Sequence, residues 1–595
     1  MKLRIRIVLA AWIFCSTALT WAAPPVDYTI SLAQARQHLL QVRIHVAGTS
    51  AERDVQLPVW NALYQVRDFA QYVRSVSARN AAGQPLPVRK LDKTTWRISH
   101  AESGADIEYQ VLANLPGPYG AHANGTHVFL NLALVLMYPV DARESPMTVT
   151  FTDVPSGWRV ATPLPVLRAG VFTARNYDRL VDGPVELGTF RETSFDEGGA
   201  TYRIVVDANP ADFDLNELAR TVRRIVAAGV WWMGERPFTE YLFLYHFPRD
   251  HGGGGMEHSY STAIDVSTEF LREDPLAFAS VTAHEFFHLW NVKRIRPVSL
   301  EPIDYTRENF STSLWFAEGV TSTVADLMLL RAGLMTEQQY LEALTQEIRT
   351  LELRPAHLVQ SAEEASLDTW FDKYPQYRDR ERSISYYNKG RILGVLLDLA
   401  VREKTQGQKS LRDVFLWMNS NYAHQARYYD DSEGIRRAVE AVTGADLSGF
   451  FRDLVAGAVE PAYNDFFRRV GLRLVRSKVT RIHPGFTAVR NFDMPPVVVE
   501  VDSGSEAERA GLVAGDTILL MDGKPAAGQV ETHWAKMRAG ETLRLRVTGR
   551  KGSREIKVKV VGLDEEAFSL ADVGPITPEQ RARRAAWLQS EHEQP

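Results

Sequence analysis

Short runs of apolar and β-branched residues, alternating or clustered, fill the chain from Tyr28 to about Val185. "HLLQVRIHVAG" and "MTVTFTDV" have the two-residue rhythm of half-buried strands, and "NAAGQPLP" and "NLPGPYGAHANGTH" supply turns between such runs. This predicts an antiparallel β-domain over residues 24–185 with a packing or substrate-shaping role, because no catalytic cluster stands out in it. From residue 186 the pattern mixes: "TYRIVVDA" and "EYLFLYHF" read as strands, and "DLNELARTVRRIVAAGVWWMG" as a helix with a capped start. Helical spacing then dominates to about Tyr463, in "SLWFAEGVTSTVADLMLLRAG", "TEQQYLEALTQEIRTLEL", "YYNKGRILGVLLDLAVREKT" and "SEGIRRAVEAVTG". Strands return from about Phe466, with one short helix in "SEAERAGL", and "TPEQRARRAAWLQSEHEQP" reads as a polar helix or loose tail. The fold class expected is multidomain α+β.

A chain of 595 residues exceeds what one core serves. The net charge of −5 argues against a nucleic-acid binder. No interior run reaches the roughly 18 apolar residues of a membrane span. The first residues differ: Lys2, Arg4 and Arg6 precede an apolar run from Ile7 to about Leu19, followed by "TWAAPP". This predicts a secretory signal over residues 1–23 and a periplasmic or secreted protein; an uncleaved anchor is the alternative. The only cysteine, Cys15, lies inside that run, so the mature chain folds without disulfides and any metal site must use His and carboxylates.

"EDPLAFASVTAHEFFHLWN" carries helix signals of its own, with Asp274 as N-cap and Pro275 in first position. Within it His284 and His288 are four apart and project from one face, so both imidazoles can reach one zinc ion. Glu285 points to a neighbouring side, where it can take a proton from water without ligating the metal. A catalytic zinc wants a third ligand. Glu318, a carboxylate among Leu314, Trp315, Phe316 and Val320, is the best candidate, since burying it there is costly without a partner. Glu308 is a weaker rival in polar, loop-like surroundings. In "HGGGGMEHSYS" the glycines Gly252 to Gly255 remove side chains where another backbone needs to come close, and they follow a strand. The segment therefore reads as a sheet edge for an extended peptide, with Glu257 placed to meet its free amino end. The bland reading is a flexible loop with an exposed glutamate.

Together "HEFFHLWNVKRIRP", "GGGGMEH", "LWFAEGVTS" and "YYNKG" resemble the glycyl aminopeptidase family of zinc metallopeptidases, gluzincins related to aminopeptidase N. The likeness covers most of the mature chain. It departs at Asn61-Ala62, where the family usually has Pro-Gly, a difference far in sequence from the chemistry. The resemblance implies His284, His288 and Glu318 as zinc ligands, Glu285 as general base, and Gly254, Gly255 and Glu257 as substrate-binding residues of an exopeptidase. It implies Tyr387 as the group that stabilises the oxyanion, with its neighbour Tyr386 left open. It also implies small first residues in the substrate, Gly or Ala. The expected organisation is a thermolysin-like catalytic domain at 186–325, a helical domain completing the site at 326–464, a PDZ domain at 465–564 and a polar tail at 565–595. Val470, Gly471 and Leu472 resemble the PDZ loop that captures a peptide's carboxylate, and the module either binds peptide or protein C-termini or packs on the enzyme. Two other readings stay open: a zinc endopeptidase, and a PDZ-centred binding protein with an inactive or structural zinc site. Lys293, Arg294 and Arg296 receive no role.

Overall fold

The computed structural model describes residues 25–48, 50–61, 64–249, 253–371, 379–489, 495–526, 533–534 and 536–588. The expected signal segment and Gly252 lie outside the described residues. The β-rich N-terminal part holds sheets of eight, five and four strands around one core. It is not wholly antiparallel: Val26–Ser31 pairs antiparallel with Leu39–Val46 but parallel with Met147–Thr152. Its last strand, Val185–Gly188, pairs with His127–Leu130, so this part runs a few residues past 185.

A five-stranded sheet follows, in the order Arg191–Glu197, Ala200–Asp207, Glu240–His246, Ser261–Asp265, Gly254–Glu257. The three inner strands are parallel and the two outer ones antiparallel to their neighbours. Alternate residues face opposite ways. Ile204, Val206, Phe243 and Ile264 enter the large core with the helices, while Val205, Leu242, Leu244 and Ala263 pack on Phe129, Ala161 and Phe190. The sheet is thus sandwiched between the helices and the N-terminal part. Helix Leu215–Met233 starts where the Asp214 side chain accepts the Asn216 and Glu217 N–H groups, and stops at left-handed Gly234. The five-stranded sheet and the helices beyond it share one continuous core, which runs from Val59 and Trp60 to Trp587 and Leu588.

Two long strands, Leu472–His483 and Val561–Asp572, form an antiparallel ribbon. Between them a small sheet, comprising Phe486–Val489, Val497–Val501, Thr517–Met521, Lys524–Pro525, Thr542–Thr548 and Arg554–Lys559, closes over a core of its own. Asp522 and Gly523 both take positive φ at its tight turn, the conformation a two-residue hairpin demands. Two expectations need correction. The described residues of the expected tail are not simply polar: 565–572 complete the ribbon, and helix Pro578–Leu588 buries Trp587 and Leu588, with Trp587 against Tyr340. Val470, Gly471 and Leu472 are not a carboxylate loop of the small sheet. Val470 and Leu472 are buried in the main core, and the Gly471 N–H donates to the Arg468 carbonyl. Arg584 of the last helix donates to the carbonyls of both Val470 and Gly471. The apolar pair that resembled a binding loop is an anchor for the C-terminal helix.

Candidate active site

Helix Pro275–Phe287 begins as its sequence dictates, with the Asp274 side chain accepting the Ala277 N–H and Pro275 in the first turn. Its far end carries His284 and Glu285, and His288 follows at the cap with its N–H still bonded to the His284 carbonyl. Glu318 comes from the wide π-helical turn Trp315–Val320 that leads into helix Thr321–Arg331. Such turns recur at functional sites because they re-aim a side chain without ending the helix. His284 Nε2 and His288 Nε2 lie 2.9 Å apart, and Glu318 Oε2 is 3.3 Å from the first and 3.2 Å from the second.

The outer nitrogens fix the tautomers. His288 Nδ1 lies 2.6 Å from the Asn291 carbonyl, which can only accept, so Nδ1 carries the proton. The Ser322 hydroxyl donates to the Glu318 carbonyl and lies 3.1 Å from His284 Nδ1, so it accepts from that nitrogen. Both Nε2 atoms are then bare when the rings are neutral and point at one spot, with partners of the kind that orient metal-ligating histidines. Burial works against a charged Glu318, yet the two histidines hold its carboxyl far below the usual range. Burial also lowers His288, but Glu318 overrides it and pushes the imidazole up to about 10, while burial and His288 push His284 down. The cluster wants positive charge at its centre, and a divalent cation supplies it with both rings neutral. The donor set therefore fits zinc.

Glu285 is buried beside this cluster. Burial pushes its carboxyl well up, with Glu257 and Glu318 adding to the effect. Its Oε2 has no hydrogen-bond partner among the described residues. It lies over the edge strand Gly254–Glu257: a Cβ on Gly255 would come within 2.4 Å of Glu285 Cγ. Gly255 is thus glycine for the sake of Glu285. Glu257, two residues on, projects from the same face of the strand. Tyr387, on helix Tyr386–Lys404, turns its half-buried ring to within 6.1 Å of the His284 ring, whereas Tyr386 is buried and accepts from Thr369. Glu308 takes no part in the cluster.

Two features escaped sequence reasoning. Lys293 donates to Asp182, which also accepts the Ser259 N–H and lies 3.4 Å from His258. Burial raises the Asp182 carboxyl, but Lys293, His258 and Arg179 hold it well below its ordinary value. This pairing pins the turn just after Glu257. Arg296 likewise ties back to the Leu300 carbonyl and Glu301. Asn61 is the other: far from the chemistry in sequence, it lines the same cavity as Trp60, Tyr64, Glu257 and Lys293. Contacts made only by folding leave no spacing to read.

Residues 27–189 match the family model described as the peptidase M61 N-terminal domain, and residues 277–393 match M61 glycyl aminopeptidase. The second match spans His284, Glu285, His288, Glu318 and Tyr387. No curated protein matches the chain. Among solved structures, an aminopeptidase N family protein from Idiomarina loihiensis shares the fold, with 24% identity, a TM-score of 0.80, and 95% of this chain and 100% of that one covered. A variant of an M1 zinc metallopeptidase from Deinococcus radiodurans matches at 14% identity and a TM-score of 0.45, over 74% of this chain and 95% of that one. The chain carries two domains of the M61 peptidase family, and it is a metallopeptidase.

Proposed function

We propose that the chain is an exported zinc aminopeptidase that removes the first residue of peptides, favouring Gly or Ala. The observation that carries this reading is Glu257 on an edge strand, on the same face as Gly255, over which Glu285 lies. An extended substrate adds to that edge by main-chain hydrogen bonds, and its ammonium group pairs with Glu257. His284, His288 and Glu318 would hold the zinc, which supplies a Lewis acid for the scissile carbonyl and acidifies water toward a pKa of about 7. Glu285 accepts the proton of the attacking water and passes it to the leaving amine. The Tyr387 hydroxyl donates to the oxygen that becomes negative. Preference for small first residues rests on the family description of residues 277–393 as glycyl aminopeptidase. Export rests on Lys2, Arg4, Arg6 and the apolar run after them. We read the small sheet over residues 486–559 as a PDZ-type module for peptide or protein C-termini, supported by its separate core, its edge strand Phe486–Val489 and the short helix Glu506–Arg509 capped by Ser505. The deciding experiment compares Gly- and Ala-started peptides with their N-acetylated forms. Free-amine peptides are expected to be cleaved and acetylated ones spared; equal cleavage of both makes the enzyme an endopeptidase.

A further inference from the structure

A second cluster with the same donor chemistry lies between the N-terminal part and the catalytic sheet. His127 comes from strand His127–Leu130 and Glu186 from its antiparallel neighbour Val185–Gly188. Asp207, His246 and Asp265 are the last residues of the three parallel strands of the catalytic sheet, side by side in register. Open sheets with parallel strands bind ligands at that end. His246 Nε2 is 3.1 Å from Glu186 Oε2, and His127 Nδ1 is 3.2 Å from Glu186 Oε1 and 3.3 Å from Asp207 Oδ2. The histidine–carboxylate distances resemble the 3.2 and 3.3 Å of the first site, but here the two histidines meet different oxygens of Glu186, and the ligand atoms of His127, Glu186 and His246 all lie within 4.8 Å of one another. Four ligands on a tetrahedral zinc with bonds of about 2.0–2.1 Å stand about 3.3 Å from one another.

The outer partner is also of the right kind. His246 sits between two carboxylates, with Nδ1 2.8 Å from Asp265 Oδ1 and Nε2 3.1 Å from Glu186 Oε2, so one nitrogen of the neutral ring is bare and faces a carboxylate oxygen; with the proton on Nδ1 that nitrogen is Nε2, aimed at Glu186. A carboxylate behind a histidine is the arrangement that orients and strengthens a zinc-bound imidazole. A lone pair aimed at a buried carboxylate oxygen requires something positive between them. Glu186 is buried, and the carboxylates of Glu186, Asp207 and Asp265 meet the imidazoles of His127 and His246, with His122 Nδ1 3.2 Å from the far nitrogen of His127, so neutral rings leave this cluster with an excess of negative charge. A proton on each ring is the other way to offset it, and metal content separates the two.

We propose that His127, Glu186 and His246, with Asp207 as the fourth ligand, bind a second divalent transition ion of the zinc class, which clamps the N-terminal part onto the catalytic sheet. The site is cysteine-free and draws its ligands from both parts. With four protein ligands the site leaves no open position for substrate, and the role we assign to it is structural.

The test is zinc content by mass spectrometry after stripping the full chain with a chelator, reloading with Zn2+ and desalting. Wild type is expected to hold two zinc ions per chain. His284→Ala is expected to hold one, and His284→Ala combined with His246→Gln none. Glu186→Gln is expected to hold one and to keep peptidase activity. Wild type saturating at one ion that is lost in His284→Ala overturns the second site and leaves the catalytic zinc standing. One ion that survives His284→Ala and is lost on adding His246→Gln supports the second site and removes the catalytic one. Because the count on wild type and His284→Ala decides the matter, failure of Glu186→Gln to fold does not shelter the proposal.

Discussion

Glu285 and Glu318 are both buried within one site, yet their surroundings push them apart. Two histidines hold Glu318 ionised, while burial and two neighbouring carboxylates raise Glu285. Carboxyl groups separated in this way take separate tasks, ligand and proton carrier. Glu285→Gln preserves size and leaves the three ligands in place, so it is expected to keep the zinc and lose about 10²–10⁴ in kcat. Parallel metal analysis and kinetics on a Gly-started peptide check this, and full activity in the variant sinks the mechanism. The two adjacent tyrosines give a second contrast. Tyr387→Phe is expected to lower kcat by about 10²–10³ with KM little changed, the size of losing one oxyanion donor. Tyr386→Phe removes the hydroxyl that accepts from Thr369, on a buried ring, so its kcat is expected to stay near wild type. The reverse pattern would assign the oxyanion role to the buried ring.

Glu318 and Tyr387 come from different helices, and glycines set the distance between them. A Cβ on Gly319 would meet Gly390 Cα at 2.5 Å, one on Gly390 would meet the Trp315 carbonyl at 2.2 Å, and one on Gly394 would meet Thr323 Oγ1 at 2.3 Å. The Glu318 turn and helix Tyr386–Lys404 therefore touch backbone to backbone, as neither could with larger residues. Gly390→Ala is expected to cost about 1–3 kcal/mol from overpacking against a carbonyl that has no room to move. It also displaces Tyr387, so kcat is expected to fall while zinc is retained; thermal melts and kinetics on the same sample read both. Much of this was legible from sequence, because helix spacing, an N-cap and a carboxylate in an apolar run are local signals. Those signals pointed to His284, Glu285, His288 and Glu318, which the fold brings together, whereas the pair Tyr386 and Tyr387 came from the resemblance of "YYNKG" and from no local signal. Nothing local marks His127, Glu186 and His246, which three strands from distant parts of the chain bring together. The apolar Val470 and Leu472 misled for the opposite reason: their pattern is local, but their partner is a helix more than 100 residues on.

The path of the chain through its last third divides the molecule into a body and an insertion. It leaves the body along Leu472–His483, builds the small sheet, and returns along Val561–Asp572 to dock helix Pro578–Leu588. His483 and Val561 form the last pair of the ribbon, so the ends of the intervening segment are adjacent. The core of the small sheet is separate from the main one, whereas Trp587 belongs to the main core and packs edge-on against Tyr340. Size and sequence position thus invert importance: eleven residues at the end matter more to the body than the sheet before them. Trp587→Ala is expected to cost about 3–5 kcal/mol, the range for emptying a buried tryptophan site. Replacing residues 484–560 by an Asn-Gly turn keeps the ribbon as a hairpin, since that dipeptide adopts the positive φ angles such a turn needs. The shortened protein is expected to melt within a few degrees of the parent and to cleave short Gly-started peptides with kcat/KM within about threefold, because every residue assigned to the site belongs to the body. A loss as large as that of Glu285→Gln, in a protein that still folds and holds zinc, means that the small sheet completes the active site. The two variants together separate a docked helix that stabilises the body from an inserted sheet that serves recognition.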